Sequence, residues 1–151
     1  MKLLKQPNRW SCLVTSFAML LDTTVKKIIK VLGHDGSEIL WPDCREPLQR
    51  RGFHIQEMID YCYFEYGIKL TPFEPMPASC PVKYDSRNIC PKMFLSSERR
   101  MEMALSKKGV ILGETLRLNA HAVAWDGKEI YDPVGMKYPI DKFRMQTFWM
   151  I

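Results

Sequence analysis

Apolar residues in the N-terminal half of the chain recur at intervals of three and four, which is the spacing of an amphipathic helix. Within 12–21 they fall at positions 13, 14, 17, 20 and 21, and the run after Asp22-Thr23-Thr24 carries a second apolar stripe. Glycine directly after such a pattern is a typical signal for the end of a helix. The predicted helices are 12–21, 25–32, 55–66 and 98–108, and Gly33, Gly67 and Gly109 are the stop signals of the last three.

After residue 109 the pattern changes to short apolar runs separated by turn residues, which is typical of β-strands. An earlier run contains Pro72, and because proline cannot donate to a β-ladder, this strand is expected near a sheet edge. Asp141 is predicted to cap a last short helix that ends at Phe148-Trp149. Helices first and an antiparallel sheet afterwards indicate the α+β class. The predicted strands are 68–73, 110–115, 118–125, 128–132 and 136–140.

The length of 151 residues is typical of one domain, so a single domain over 1–151 is the expectation. Prolines are concentrated in one segment, where a long loop or arm packed on the surface is predicted at about 72–92, rather than a domain boundary. The prolines of this segment are at 72, 75, 77, 81 and 91.

Charge and targeting signals add little to this picture. The net charge is +5, but basic and acidic residues are interspersed, so a solvated surface is predicted and no nucleic-acid partner is expected. Residues 1–5 are too short and too charged for a secretory signal, and no apolar run is long enough to span a membrane. The cysteine count of five is odd and the spacing irregular, which indicates a reducing compartment and a cytoplasmic location.

A metal site is not predicted, because the sequence contains no Cys-x-x-Cys pair. Cys80 and Cys90 each precede a proline at the two ends of the Pro-rich segment, but nothing in the sequence pairs them. The cysteines and histidines considered as ligands are Cys44, Cys62, Cys80, Cys90, His34 and His54.

Cys12 is placed where a thiol can become a nucleophile. It follows the polar, Pro-containing stretch 6–11 and begins the first predicted helix. The first turn of a helix has unpaired N–H groups and the positive end of the helix dipole, and this setting favours a thiolate. The competing interpretation is a small buried residue that begins a core helix.

The pair His121 and Asp132 is predicted from a hairpin. If Asp126-Gly127 forms a two-residue turn, counting outward places His121 directly opposite Asp132 on one sheet face, with Cβ atoms about 5 Å apart. A carboxylate there would orient the imidazole and stabilise its charged form. Asp126 is the rival acid, but five extended residues separate it from His121 by roughly 16 Å. A purely structural pair, or an aspartate that caps the following turn, remains the alternative.

Together these residues fill the roles that thiol catalysis requires. Cys12 is the candidate nucleophile, His121 the base and Asp132 the group that orients the base. Gln6 is the candidate oxyanion donor together with the Cys12 backbone N–H. Pro7 disfavours a helical conformation at Gln6, so its side chain is free to turn back towards Cys12.

This pattern resembles the papain-like cysteine peptidases, and most closely the bacteriocin-processing, double-glycine leader peptidase family. A glutamine six positions before a helix-opening cysteine, a late histidine on a strand, and Asp132-Pro133 after a hairpin carry the resemblance. The resemblance implies a papain-like fold, a Cys-His-Asp triad that hydrolyses a peptide bond, a protein or peptide substrate, and no cofactor. Further similar stretches are 17–20, the block from Gly52-Phe53 to Gly67-Ile68, and the aromatic residues around Phe143 and Trp149.

Two alternatives stay open at this point. The same triad would serve a deamidase or a transglutaminase-like enzyme that acts on a side-chain amide of a protein. A catalytically idle papain-like module would instead hold a partner protein in its cleft or on its Pro-rich arm.

Overall fold

The computed structural model describes residues 1–75, 97–115 and 120–151. Within these residues, three helices precede the first strand, and a fourth helix separates that strand from five more. The helices are α1 (Cys12–Leu20), α2 (Val25–Leu32), α3 (Ile55–Tyr66) and α4 (Ser97–Leu105). The strands are β1 (Thr71–Phe73), β2 (Gly109–Glu114), β3 (Ala120–Trp125), β4 (Ile130–Asp132), β5 (Met136–Tyr138) and β6 (Arg144–Met150), with a 3-10 turn at Ile140–Lys142.

The strands form one six-stranded sheet in the order β1-β6-β2-β3-β4-β5, and all neighbouring pairs are antiparallel. Helices followed by an antiparallel sheet confirm the α+β prediction at this level. β1 lies at one edge, as Pro72 indicated, although it is shorter than the predicted 68–73.

Helix α1 is buried on all sides rather than on one stripe. Every residue from Leu13 to Met19 is buried, including the polar Thr15 and Ser16. The helix contacts β3 most extensively and also contacts α2 and α3. It therefore lies between the sheet and the other two helices, which fixes Cys12 at its first turn against the sheet.

Two apolar clusters cover the two faces of the sheet. Adjacent residues of a strand point to opposite faces. Val110 and Ala122 accordingly pack with α1, α2 and α3 in one cluster, whereas Ile111 and Val123 pack with Ala104 of α4 and Phe148 in the other. Helices α1, α2 and α3 thus pack on one face of the sheet, and the end of α4 packs on the other.

The predicted ends of the second and third helices are confirmed. The Thr24 side chain accepts a hydrogen bond from the Lys27 N–H at 3.2 Å and caps α2. Gly33 and Gly67 follow α2 and α3 in the left-handed conformation, with φ of 77° and 66°. Glycine adopts this conformation without the steric cost that a Cβ imposes.

The predicted end of the fourth helix is wrong. α4 ends at Leu105, not at 108, and Gly109 is the first residue of β2. A Cβ at Gly109 would lie 2.1 Å from the Trp149 carbonyl oxygen. The glycine is therefore required by close packing of β2 against β6, and not by a helix end.

The predicted last helix is also wrong, because residues 144–150 form β6 between β1 and β2. Only one 3-10 turn follows Pro139. From Arg144 to Thr147, exposed and half-buried residues alternate, which is the two-residue period of a strand. Backbone pairing with strands on both sides outweighs a local helix signal.

Several predictions lie outside the described residues. These are the Pro-rich arm from residue 76 onward, Cys80 and Cys90, and the beginning of the predicted strand 118–125. In the described parts of the chain, no helix combines the length and apolar character needed to cross a membrane.

Candidate active site

His121 and Asp132 form a buried pair. The distance from His121 Nε2 to Asp132 Oδ1 is 2.8 Å, and the exposed fractions of the two side chains are 10% and 4%. The ring and carboxylate thus form a charge-assisted contact sheltered from water, which is stronger than a neutral hydrogen bond.

His121 and Asp132 are in contact although the register predicted for the hairpin of β3 and β4 is wrong. Trp125 faces Ile130 and Ala124 faces Tyr131, so the hairpin loop has four residues instead of two. The register is shifted by two positions, and a shift of two keeps each residue on its face of the sheet. Asp132 is consequently the diagonal neighbour of His121 instead of its direct partner, which is still within reach of an aromatic-sized side chain.

The rival acid Asp126 has a different role. Its Oδ1 accepts hydrogen bonds from the Lys128 and Glu129 backbone N–H groups, each at 2.9 Å. The carboxylate of Asp126 therefore closes the hairpin loop, as expected of an aspartate at the start of a turn.

Asp132 is held in its ionised form by three donors. Burial raises its pKa, but hydrogen bonds from His121, from the Tyr138 hydroxyl and from the Val134 N–H outweigh burial, and the pKa is lowered overall. Val134 N–H donates to Oδ1 at 2.9 Å, whereas Tyr138 donates to Oδ2. A buried carboxylate with both oxygens paired remains negative at neutral pH.

Cys12 is the first residue of α1, and its side chain is half-buried. Burial lowers the pKa of His121, but hydrogen bonds to Asp132 and to Cys12 outweigh it and raise the pKa to about 9. Since Asp132 binds Nε2, Nδ1 is the ring nitrogen left for the thiol. The thiol is thus on the opposite side of the ring from the carboxylate.

A buried hydrogen bond ties the helix of Cys12 to the strand of His121. Ser16 lies one turn after Cys12, and its hydroxyl donates to the Ala122 carbonyl oxygen at 3.0 Å. Ala122 directly follows His121. Because both Ser16 and Ala122 are almost fully buried, this bond fixes the spacing between nucleophile and base.

Gln6 reaches the site through its backbone. Its N–H donates to the Pro133 carbonyl oxygen at 2.8 Å, directly after Asp132. In the part of the chain that the structure describes, Gln6 Oε1 is buried and lacks a hydrogen-bond partner, and no side-chain bond joins Gln6 to Cys12 or His121. The segment 1–6 is held by Leu4, whose N–H lies 3.2 Å from the Met19 sulfur.

Three residues around the pair were not identified from the sequence. Tyr138 bonds Asp132, and the Phe143 ring lies 6.4 Å from the His121 ring between centroids. Gly113 lies opposite His121, and a Cβ on it would be 2.1 Å from the Arg144 carbonyl oxygen and 2.8 Å from Phe143 Cε1. One signal for Tyr138 was present in the sequence: it lies in the predicted strand 136–140, which directly follows the strand that contains Asp132.

The described residues among those considered for a metal are dispersed. His34 pairs with Glu57 at 2.9 Å, Cys44 is exposed, and burial raises the pKa of Cys62 to about 12. Among the described residues, no three histidine, cysteine or acidic side chains are grouped so that they could hold a metal ion. Cys62 is therefore an inert core residue at neutral pH.

Comparisons with protein-family models, with curated proteins and with solved structures found no match to this chain.

Proposed function

We propose that this protein is a cysteine peptidase with a papain-like arrangement, in which Cys12, His121 and Asp132 hydrolyse a peptide bond. One observation carries the proposal: the Asp132 carboxylate orients the buried His121 ring, and Asp132 together with the half-buried Cys12 thiol at the start of α1 raises the pKa of that ring. Thiol catalysis needs a nucleophile next to a base, and a third group that orients the base. Cys12, His121 and Asp132 are proposed for these three roles in that order. A helix carrying the thiol against an antiparallel sheet carrying the base supports the papain-like fold.

The proposed reaction has two steps. The Cys12 proton moves to His121, the sulfur attacks the substrate carbonyl carbon, and His121 gives its proton to the leaving amine as the C–N bond breaks. His121 then takes a proton from water as its oxygen attacks the thioester carbon. The C–S bond breaks, the carboxylic acid product leaves, and the released Cys12 thiolate regains its proton from His121. The Cys12 N–H and the Gln6 amide donate to the oxyanion in both steps.

The substrate is a protein or peptide, and the catalysis requires a free thiol. Because disulfides form readily in oxidising compartments, we propose the cytoplasm as the place of action. The experiment compares wild type, Cys12→Ala and the control Cys44→Ala in a reduced cell extract, followed by mapping of new peptide N-termini. New termini with wild type and Cys44→Ala, but none with Cys12→Ala, are the expected result.

Two other results would replace the proposal. A mass gain of about one dalton on intact proteins, without new termini, would assign the triad to side-chain amides, as in a deamidase. A biological effect that Cys12→Ala retains in full would indicate a binding module.

Limited alkylation with iodoacetamide gives an independent check. Cys44 is exposed and Cys12 only half-buried, so exposure alone favours modification of Cys44. Faster modification of Cys12 is expected because thiolates react and thiols do not. Preferential modification of Cys44 would contradict an activated Cys12.

A further inference from the structure

We propose that Tyr138 is a positioning residue of this site: its hydroxyl fixes the Asp132 carboxylate so that one oxygen stays on the His121 ring. The catalytic consequence rests on the proposed peptidase function, whereas the effect on His121 does not.

The two oxygens of Asp132 have different partners. Oδ1 accepts from His121 Nε2 at 2.8 Å and from the Val134 N–H at 2.9 Å. Among the described residues, Oδ2 accepts only from the Tyr138 hydroxyl. Asp132 is 3% exposed, so water cannot readily replace this donor. Rotation of the carboxylate would exchange the two oxygens, and the Tyr138 bond opposes that rotation.

The position of Tyr138 follows from strand pairing. β4 and β5 pair Ile130 with Tyr138 and Asp132 with Met136. Tyr138 is therefore the diagonal neighbour of Asp132 on the same sheet face, a distance that a tyrosine side chain spans. His121 stands in the same diagonal relation on the other side of Asp132, so a tyrosine and a histidine hold one carboxylate from both flanking strands.

The segment 138–143 contacts both members of the pair. Tyr138 begins it and bonds Asp132, while Phe143 ends it and packs its ring 6.4 Å from the His121 ring. Pro139 and the 3-10 turn Ile140–Lys142 separate the two. Gly113 leaves the space that the Phe143 ring occupies. One short connection thus supports base and carboxylate together, which a single incidental contact would not do.

The Tyr138 hydroxyl is a permanent donor. Burial raises the pKa of Tyr138, and the bond to the negative Asp132 raises it further. The hydroxyl therefore keeps its proton over the whole range in which the site would work, and it always donates to Oδ2.

The test uses Tyr138→Phe, which keeps the ring and removes the hydroxyl. We expect kcat/KM to fall about tenfold, as for loss of a hydrogen bond to a charged group. The pKa of His121, followed by NMR, should fall by about one unit, because a carboxylate free to rotate supports the imidazolium less well. A purely structural role would lower stability and leave the His121 titration midpoint unchanged.

Tyr131→Phe is the matched control. Tyr131 neighbours Asp132 on β4, but its ring packs on the opposite face with Met19 and Ala124. This variant should leave kcat/KM and the His121 midpoint unchanged. Adding Tyr138→Phe to Asp132→Asn should have little further effect on the His121 midpoint, because Tyr138 acts through Asp132.

The outcomes separate the two proposals. If the wild type cleaves peptides and Tyr138→Phe changes neither rate nor midpoint, the positioning role is wrong and the peptidase function stands. If no variant has activity but the midpoint falls in Tyr138→Phe, the positioning role stands and the peptidase function fails. Full additivity with Asp132→Asn would also overturn the positioning role.

Discussion

Replacing Cys12 by alanine should lower the pKa of His121. The pKa of His121 is raised from 6.5 to about 9, with burial opposing and with Asp132 and Cys12 responsible for the increase. At 1.36 kcal/mol per pH unit, the site favours the charged ring by roughly 3 kcal/mol relative to a free histidine. The ring is charged below the midpoint and loses its charge as pH rises through about 9.

Cys12→Ala removes the sulfur contribution and keeps burial and Asp132. We therefore expect the midpoint of His121 to fall by at least about one pH unit. The assay is an NMR titration of histidine Cε1–H signals between pH 5 and 10, assigned with His121→Gln. The other histidines, His34 and His54, serve as internal references.

The control is Cys44→Ala, which removes an exposed thiol distant from the pair in sequence and should leave the midpoint near 9. An unchanged midpoint in Cys12→Ala would show that sulfur and imidazole do not interact. A wild-type midpoint near 6.5 would show that the ring lacks its partners altogether, and the proposed catalysis would lose its base.

Three further predictions concern residues around the pair. Ser16→Ala should lower the free energy of unfolding by about 1–3 kcal/mol and slow alkylation of Cys12, since it breaks a buried hydrogen bond. Thr15→Val, which removes a buried hydroxyl without a partner among the described residues, should have neither effect, and equal losses of stability in urea unfolding would contradict this. Gly113→Ala should cost about 1–3 kcal/mol in the same assay, because its Cβ would meet a backbone oxygen at 2.1 Å, and a neutral effect would disprove the close packing. Gln6→Ala should reduce peptide turnover about a hundredfold or more without slowing alkylation of Cys12, whereas a parallel loss of both would indicate a structural role.

The helices were predictable because their signals are local. The apolar stripe of 25–32, its Thr24 cap and the left-handed Gly33 all lie within one stretch of sequence. The candidate site residues were also largely predictable, because their signals are local too. Cys12 lies at the start of a predicted helix, and His121 and Asp132 flank a predicted hairpin. The pairing of His121 with Asp132 survived an error in loop length because that error was even.

What the sequence concealed depends on distant neighbours. Residues 144–150 have residue types compatible with helix or strand, and only pairing with β1 and β2 decides between them. Gly109 had the same ambiguity, because a glycine that ends a helix and one that admits a neighbouring strand look alike. Tyr138 and Phe143 could be assigned to the site only once β5 and β6 were placed beside their partners.

The place of β6 in the sheet has a consequence for biosynthesis. β6, the last described strand in chain order, is inserted between β1 and β2, and among the described strands it alone pairs with β1. Phe143, immediately before β6, completes the surroundings of His121. A nascent chain therefore contains the Cys12 thiol long before His121 has these surroundings. Any thiol chemistry that depends on these contacts is therefore expected only once β6 has been synthesised and paired with β1 and β2.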